Sequence, residues 1–261
     1  MQNAGIAALG LNWRYLAFDV DPKNLHEAIL GAKRMGFVGV NLTVPHKLLA
    51  MEMVDVLDET AKTWGAVNTI RFENDDGGAT RSQGFNTDAN AITQTLREDL
   101  GVELRGAKVL LLGAGGAGRV AALKLAADGV SELYLVNRTE SKATAVAEEI
   151  RQRHPAVKVG VGYPGAAVDL LLNATSLGLK SDDASPLDER RFSPRQAKAV
   201  YDMIYRPAET PLLRAAKAAG CRAANGIGML LYQGAKALEI WSGKPAPVAV
   251  MRRALEKNVY G

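Results

Sequence analysis

The sequence predicts an α/β protein in two parts. One is a doubly wound parallel sheet in the middle of the chain, the other a second α/β domain built from the N-terminal region and the C-terminal helices. Three observations carry that expectation. Strand-like and helix-like segments alternate along most of the chain, the pattern of layered α/β architectures. The apolar run Val109-Leu110-Leu111-Leu112 passes directly into Gly113-Ala114-Gly115-Gly116-Ala117-Gly118 and then into a helical pattern, as when a buried parallel strand feeds a glycine-rich turn. Finally, 261 residues are more than one compact core usually holds and fewer than three need.

Residues 3–9 read as a helix stopped by Gly10, and Trp13-Arg14-Tyr15-Leu16-Ala17-Phe18 alternates like a strand. Leu25, Ala28, Ile29 and Ala32 recur at helical spacing within residues 24–35, with Gly36 as the stop and a short strand over 37–43. Strand, helix, strand predicts a parallel unit, which needs a crossover connection. A helix over 48–57, a strand over 66–72, a turn at Asn74-Asp75-Asp76-Gly77-Gly78 and a helix over 89–100 complete the first region. In the second, strand 109–112 and helix 119–127 lead to strand 133–136, helix 141–153 and strands 157–161, 170–173 and 199–204, a doubly wound succession. Residues 181–195 are polar, charged and broken by Pro186 and Pro194, and read as a surface loop. Helices over 211–219, 226–241 and 247–258 finish the chain.

Composition narrows the function classes. With 48% hydrophobic and 23% charged residues the chain is average for a globular protein, which excludes disordered, collagen-like and low-complexity types. The net charge of +4 is spread without a basic run longer than two, so nucleic-acid binding is not demanded and a small anionic ligand fits equally well. One cysteine, Cys221, allows no internal disulfide, and His26, His46 and His154 are scattered. A reducing, cytoplasmic setting and metal-free chemistry are therefore expected. No apolar stretch reaches membrane-spanning length, and the N-terminus lacks a charged segment followed by an apolar one.

Gly113, Gly115 and Gly118 satisfy G-x-G-x-x-G between a strand and a helix, the context in which backbone N–H groups and a helix dipole meet a pyrophosphate. At the end of the next strand a carboxylate would bind a ribose 2′-hydroxyl and repel a 2′-phosphate. This chain has Asn137-Arg138-Thr139 there, with Lys142 one helical turn on, and the guanidinium fork of Arg138 suits a phosphate. NADP is favoured over NAD.

Asn41-Leu42-Thr43-Val44-Pro45-His46-Lys47 joins a strand to a helix, with Pro45 suited to the first helical position and Lys47 in the first turn. The positive helix end and partial burial both disfavour an ammonium there, which prepares a lysine for acid/base work. Gly84-Phe85-Asn86-Thr87-Asp88 also precedes a helix, where a carboxylate stays ionised. From spacing alone, a plain N-cap for Asp88 and a solvated helix lysine for Lys47 fit equally well.

With these segments the sequence resembles the shikimate dehydrogenase family. Asn41 to Lys47 matches that family's N-[VL]-T-[VI]-P-[HY]-K, Gly65-Ala66-Val67-Asn68-Thr69 its A-V-N-T, and Gly84 to Asp88 its G-x-N-T-D. The likeness continues through Gly113 to Ala117, Asn137-Arg138-Thr139 and Asn173-Ala174-Thr175-Ser176-Leu177-Gly178. It ends with Tyr201-Asp202-Met203-Ile204-Tyr205, Thr210-Pro211-Leu212-Leu213, and Gly226-Ile227-Gly228-Met229-Leu230 with Gln233.

The resemblance implies reversible reduction of 3-dehydroshikimate to shikimate by NADPH, a step of aromatic amino-acid biosynthesis. It implies a substrate domain over residues 1–87, with 222–261 returning to it, and a Rossmann NADP-binding domain over 88–221, the two ligands meeting in the cleft between them. Lys47 would be the acid/base residue and Asp88 its partner, with Thr43, Asn68, Tyr205 and Gln233 joining them on the substrate. Gly113, Ala114, Gly115, Gly116, Ala117, Asn137, Arg138, Thr139, Lys142, Met203 and Gly226 would contact the cofactor. A monomer or homodimer with small-molecule ligands, and no nucleic-acid or membrane partner, is expected. The alternatives are a quinate/shikimate dehydrogenase paralogue and a catalytically impaired NADP-binding member. The second arises because the family's strand and G-x-P-[IV]-x-H-S-x-S-P segment, whose serines would hold the substrate carboxylate, do not precede Met1-Gln2-Asn3. Either the start falls at an internal methionine or substrate binding is weakened.

Overall fold

The computed structural model describes residues 1–74, 79–180 and 182–261. The expected turn at 74–78 lies, beyond Asn74, outside the described residues, as does Ser181. The chain divides into two compact units, residues 1–88 with 231–259 and 261, and residues 89–230 with 260. Among the described residues no helix is long and apolar enough to cross a membrane.

The first unit opens with α1 (Gln2–Ala8), α2 (Leu25–Arg34), β1 (Gly39–Asn41), α3 (His46–Leu49), β2 (Val56–Leu57), α4 (Glu59–Trp64), β3 (Thr69–Asn74) and β4 (Thr80–Phe85). The sheet order is β1-β3-β4-β2, antiparallel except between β2 and β4. Leu25, Ile29 and Ala32 form the buried stripe of α2 and share one core with Val67, Ile70 and Phe72, so the helical period of the sequence becomes the packing face.

Three expectations fail in this unit. Residues 13–18 form no strand: the backbone N–H and C=O of Tyr15 pair with the side-chain amide of Asn3 (2.8 and 2.9 Å) rather than with a ladder. Alternation sets which side chains are exposed, but a strand also requires a neighbour. β1 pairs only with β3, antiparallel, so the expected parallel unit is absent from the described residues. The helix expected over 48–57 is α3 followed by a turn of 3₁₀ helix at Ala50–Glu52 and then β2.

The chain leaves the helical path at Asp55. Its N–H donates to Ser82 Oγ (3.0 Å), while its carboxylate accepts from Ser82 N and Oγ (both 2.7 Å) and from Lys33 Nζ (2.7 Å). These donors depress the Asp55 pKa to about 2, the Lys33 hydrogen bond contributing most. A depressed carboxylate stabilises the fold above its unfolded pKa and loses that contribution as pH falls through the folded value. Asp55→Asn should therefore cost about 1 kcal/mol near neutrality, discounted because the side chain is 45% exposed, and the difference from wild type should shrink between roughly pH 4 and 2. Urea unfolding at stepped pH measures this.

The second unit holds most of α5 (Asp88–Leu100), then β5 (Lys108–Leu112), α6 (Gly116–Ala127), β6 (Glu132–Val136), α7 (Glu140–Arg153), β7 (Lys158–Val161), β8 (Val168–Asn173), β9 (Ala197–Asp202), α8 (Pro211–Ala218) and β10 (Arg222–Asn225). The six strands are all parallel in the order β10-β9-β8-β5-β6-β7. The chain winds outward from β5 to β7 and returns to β8 on the other side of β5, which puts the topological switch point, where such sheets bind ligands, between β5 and β8. The strands end level there: Leu112 is in register with Val136 and Asn173, Asn173 with Asp202, and Asp202 with Asn225.

β10 assigns residues 222–230 to this unit, against the expectation that the return begins at 222. The expected surface loop is anchored as well as exposed. Leu187 and Phe192 are buried in one core with Leu110, Leu171 and Val200, and Phe192 stacks on Tyr163 with ring centroids 6.5 Å apart.

α9 (Ile227–Ser242) and α10 (Val248–Tyr260) end the chain. From Leu231 onward they belong almost entirely to the first unit, where Gln2 Nε2 donates to Gly234 O (2.9 Å) and Trp241 Nε1 to Ile70 O (3.0 Å).

Candidate functional site

In the first unit, the turn after β1 is closed by His46 N donating to Thr43 O (2.8 Å), and the Val44–Pro45 peptide is cis. Pro45 is the N-cap of α3, one position earlier than expected, and Lys47 lies in the first turn. The Lys47 carbonyl accepts from Val67 N (2.9 Å), which ties this turn to the segment before β3. Asp88 opens α5, where unpaired N–H groups and the helix dipole favour a carboxylate. Lys47 Nζ and Asp88 Oδ2 are 2.6 Å apart, with side chains 27% and 14% exposed. Both groups are held out of bulk water yet reach it.

The G-x-N-T-D and A-V-N-T segments build the approach to Asp88. Asn86 Nδ2 donates to Ala66 O (3.0 Å), and Asn86 N to Thr60 Oγ1 (2.9 Å). Asn68 Oδ1 accepts from Thr87 N (2.8 Å), and its Nδ2 donates to Thr87 Oγ1 (2.9 Å). Asn68 is only 2% exposed, so its main work is to fix the residue before Asp88. Thr43 is exposed in the turn, and Gln233 is half-buried on α9 beside Gly234. Asn41, which opens the N-x-T-x-P motif, was not assigned a role from sequence. Its Oδ1 accepts from Tyr15 Oη (3.0 Å) and its Nδ2 donates to Asn68 O (3.1 Å) and Thr69 Oγ1 (2.9 Å).

The second unit holds the glycine-rich turn. Gly113 follows β5 with φ 102°, and its N–H donates to Val136 O (2.7 Å). A Cβ on Gly118 would lie 2.1 Å from Gly113 O, so the start of α6 packs directly on the turn. Gly115, the N-cap of α6, supplies no side-chain cap, and a Cβ on Gly115 or Gly116 would meet nothing within 4 Å. Open space above uncapped N–H groups is a cradle for a phosphate. Ala114 N donates to Asn137 Oδ1 (3.0 Å) and Asn137 Nδ2 to Thr139 O (2.8 Å), so Asn137 joins the turn to the end of β6. Arg138, Thr139 and Lys142 are exposed beside it. These residues fit a phosphorylated dinucleotide.

A pocket of about 360 Å³ lies at the ends of β8 and β9, lined among others by Ala117, Thr175, Met203 and Tyr205. Met203 O packs so closely on Gly226 that a Cβ there would stand 2.0 Å from it. Tyr205 is 38% exposed, and its carbonyl accepts from Tyr260 Oη (2.9 Å). Asp202, quoted within a motif but given no role, is fully buried behind this pocket.

Family models match three stretches: shikimate dehydrogenase substrate binding domain over residues 1–70, shikimate / quinate 5-dehydrogenase over 95–161, and shikimate 5′-dehydrogenase C-terminal domain over 226–256. The shikimate dehydrogenase (NADP(+)) of Methanopyrus kandleri is 41% identical over 266 residues, spanning 99% of this chain and 90% of that protein. The crystal structure of shikimate 5-dehydrogenase from Thermus thermophilus in complex with NADP(H) and shikimate superposes with a TM-score of 0.84 at 36% identity, covering 98% of this chain and 92% of that one. The ligand-free 5-ketofructose reductase of a Gluconobacter strain superposes equally well, with a TM-score of 0.84 at 34% identity and the same 98% and 92% coverage.

Proposed function

Because the chain belongs to the shikimate dehydrogenase family, we propose that it catalyses the NADP-dependent, reversible reduction of 3-dehydroshikimate to shikimate with Lys47 and Asp88 as its proton-transfer pair. The observation that carries this reading is the 2.6 Å contact between Lys47 Nζ and Asp88 Oδ2, both partly buried and both at helix starts. In the reducing direction the Lys47 ammonium donates its proton to the carbonyl oxygen that becomes the hydroxyl. In the oxidising direction the neutral amine takes that proton back. Asp88 accepts a hydrogen bond from Lys47 throughout and orients it. Thr43, Asn68, Tyr205 and Gln233 supply neutral donors and acceptors for the substrate's hydroxyls.

Bound NADP supplies or accepts the hydride. The N–H groups around Gly115 and Gly116 would hold its pyrophosphate, Arg138, Thr139 and Lys142 its 2′-phosphate, and Met203 and Gly226 its nicotinamide end. A cytoplasmic site of action belongs to the same proposal, since a lone thiol and NADPH both suit a reducing compartment.

The equal structural likeness to a 5-ketofructose reductase favours a second reading, in which the substrate is another polyhydroxylated ketone. Specificity constants for shikimate, quinate and 5-ketofructose, measured with NADP(H), decide between them. Shikimate should lead by more than about tenfold, the margin that a single unmatched polar contact sustains. Arg138→Ala should lower the preference for NADP over NAD by about 10- to 100-fold, the loss of charge-assisted bonds to one phosphate. An unchanged cofactor ratio would remove Arg138 from the site.

A further inference from the structure

We propose that Asp202 is a positioning residue whose buried carboxylate fixes the two loops that line the nicotinamide end of the cofactor pocket, an assignment that rests on the family reading above. Asp202 ends β9 and is fully buried. Three donors converge on it. Asn173 Nδ2 (2.9 Å) and Ile204 N (3.1 Å) donate to Oδ1, and Thr210 Oγ1 (2.6 Å) donates to Oδ2. Their direction is determined by their other bonds. Asn173 Oδ1 already accepts from Thr175 N (2.9 Å) and Thr175 Oγ1 (2.8 Å), so the amide turns its NH₂ toward Asp202. Thr210 Oγ1 accepts from Leu213 N (3.3 Å), so its proton points to Asp202. Every group facing the carboxyl is a donor, which only an ionised carboxylate satisfies fully.

Burial pushes the Asp202 pKa up, and the three hydrogen bonds pull against that shift. Among the described residues Asp202 forms no ion pair, so a charge is buried on hydrogen bonds alone, an expensive arrangement. What it secures is visible in where the donors come from. Asn173 begins the loop that carries Thr175, Ile204 lies between Met203 and Tyr205, and Thr210 caps α8. Thr175, Met203, Ile204 and Tyr205 all line the pocket of about 360 Å³ that reaches Ala117 in the first turn of α6. One carboxylate thus holds both loop walls and the helix that follows them. The glycine-rich turn and residues 137–142 use a separate set of bonds.

That separation supplies the test. Asp202→Asn keeps the volume but presents an NH₂ to a ring of donors. Calorimetric titration of the full chain should show NADP⁺ binding weakened about tenfold, while 2′,5′-ADP, which lacks the nicotinamide half, stays within about twofold of wild type. Thr210→Val removes one donor and should reproduce the effect, and Thr210→Ser should restore wild-type binding. The Thr210 pair decides the matter if Asp202→Asn does not fold. Equal weakening of both ligands would mean general loosening of the unit and would overturn the assignment, as would unchanged binding of both. Because the readout is binding, it judges Asp202 even for a protein whose substrate is not shikimate.

Discussion

Replacing Lys47 by alanine lowers kcat for shikimate oxidation by about 10³-fold and leaves the NADP⁺ dissociation constant within about twofold of wild type. Positioned proton transfer by one side chain contributes about 10² to 10⁴ in rate, and Lys47 is the cation in contact with Asp88. NADP⁺ binding is spared because the turn, Arg138 and Lys142 belong to the other unit. The fold is expected to tolerate the change, since Lys47 is partly exposed and its backbone carbonyl bond to Val67 N does not depend on the side chain. A rise in the KM for shikimate with kcat unchanged would make Lys47 a binding residue only.

The second large effect is expected at Gly118. Alanine there places a Cβ 2.1 Å from Gly113 O, a backbone atom that cannot move aside without moving the turn. Either α6 shifts away from the turn or the turn opens, and both outcomes spoil the N–H cradle. NADP⁺ affinity should fall by more than about 100-fold, and the overpacking should cost about 1 to 3 kcal/mol of stability. Gly116→Ala is the control: its Cβ would meet nothing within 4 Å, so thermal stability should match wild type. If Gly118→Ala bound NADP⁺ normally, the turn would not be the pyrophosphate site.

The parts of the fold legible in the sequence are those where one segment carries its own instruction. Val109 to Leu112 is buried on both faces and reads as apolar throughout, and Leu25, Ile29 and Ala32 mark the stripe of α2. Elements were missed where the instruction lies in a partner. β4 is largely polar, Thr80-Arg81-Ser82-Gln83-Gly84-Phe85, and becomes a strand because β3 pairs with its full length. β10 has no β-branched residue and is recruited by the free edge of β9. Residues 13–18 show the reverse, a good alternating pattern with no strand beside it.

The site divides in the same way. Lys47, Asp88 and the glycine-rich turn were visible because each combines a residue type with a helix start. Sequence could not show that Asn68 works mainly on Thr87, or that Asn173, Asp202 and Thr210, far apart in the chain, share one carboxylate. Those roles exist only after parallel register has brought Asn173 and Asp202 side by side.

The most direct test of the whole account follows NADPH absorbance after shikimate is added to the protein with NADP⁺. The account predicts NADPH formation that requires shikimate, exceeds the rate with NAD⁺ as cofactor, and falls by about 10³-fold in Lys47→Ala. No NADPH formation with shikimate, or an equal rate from Lys47→Ala, would contradict it.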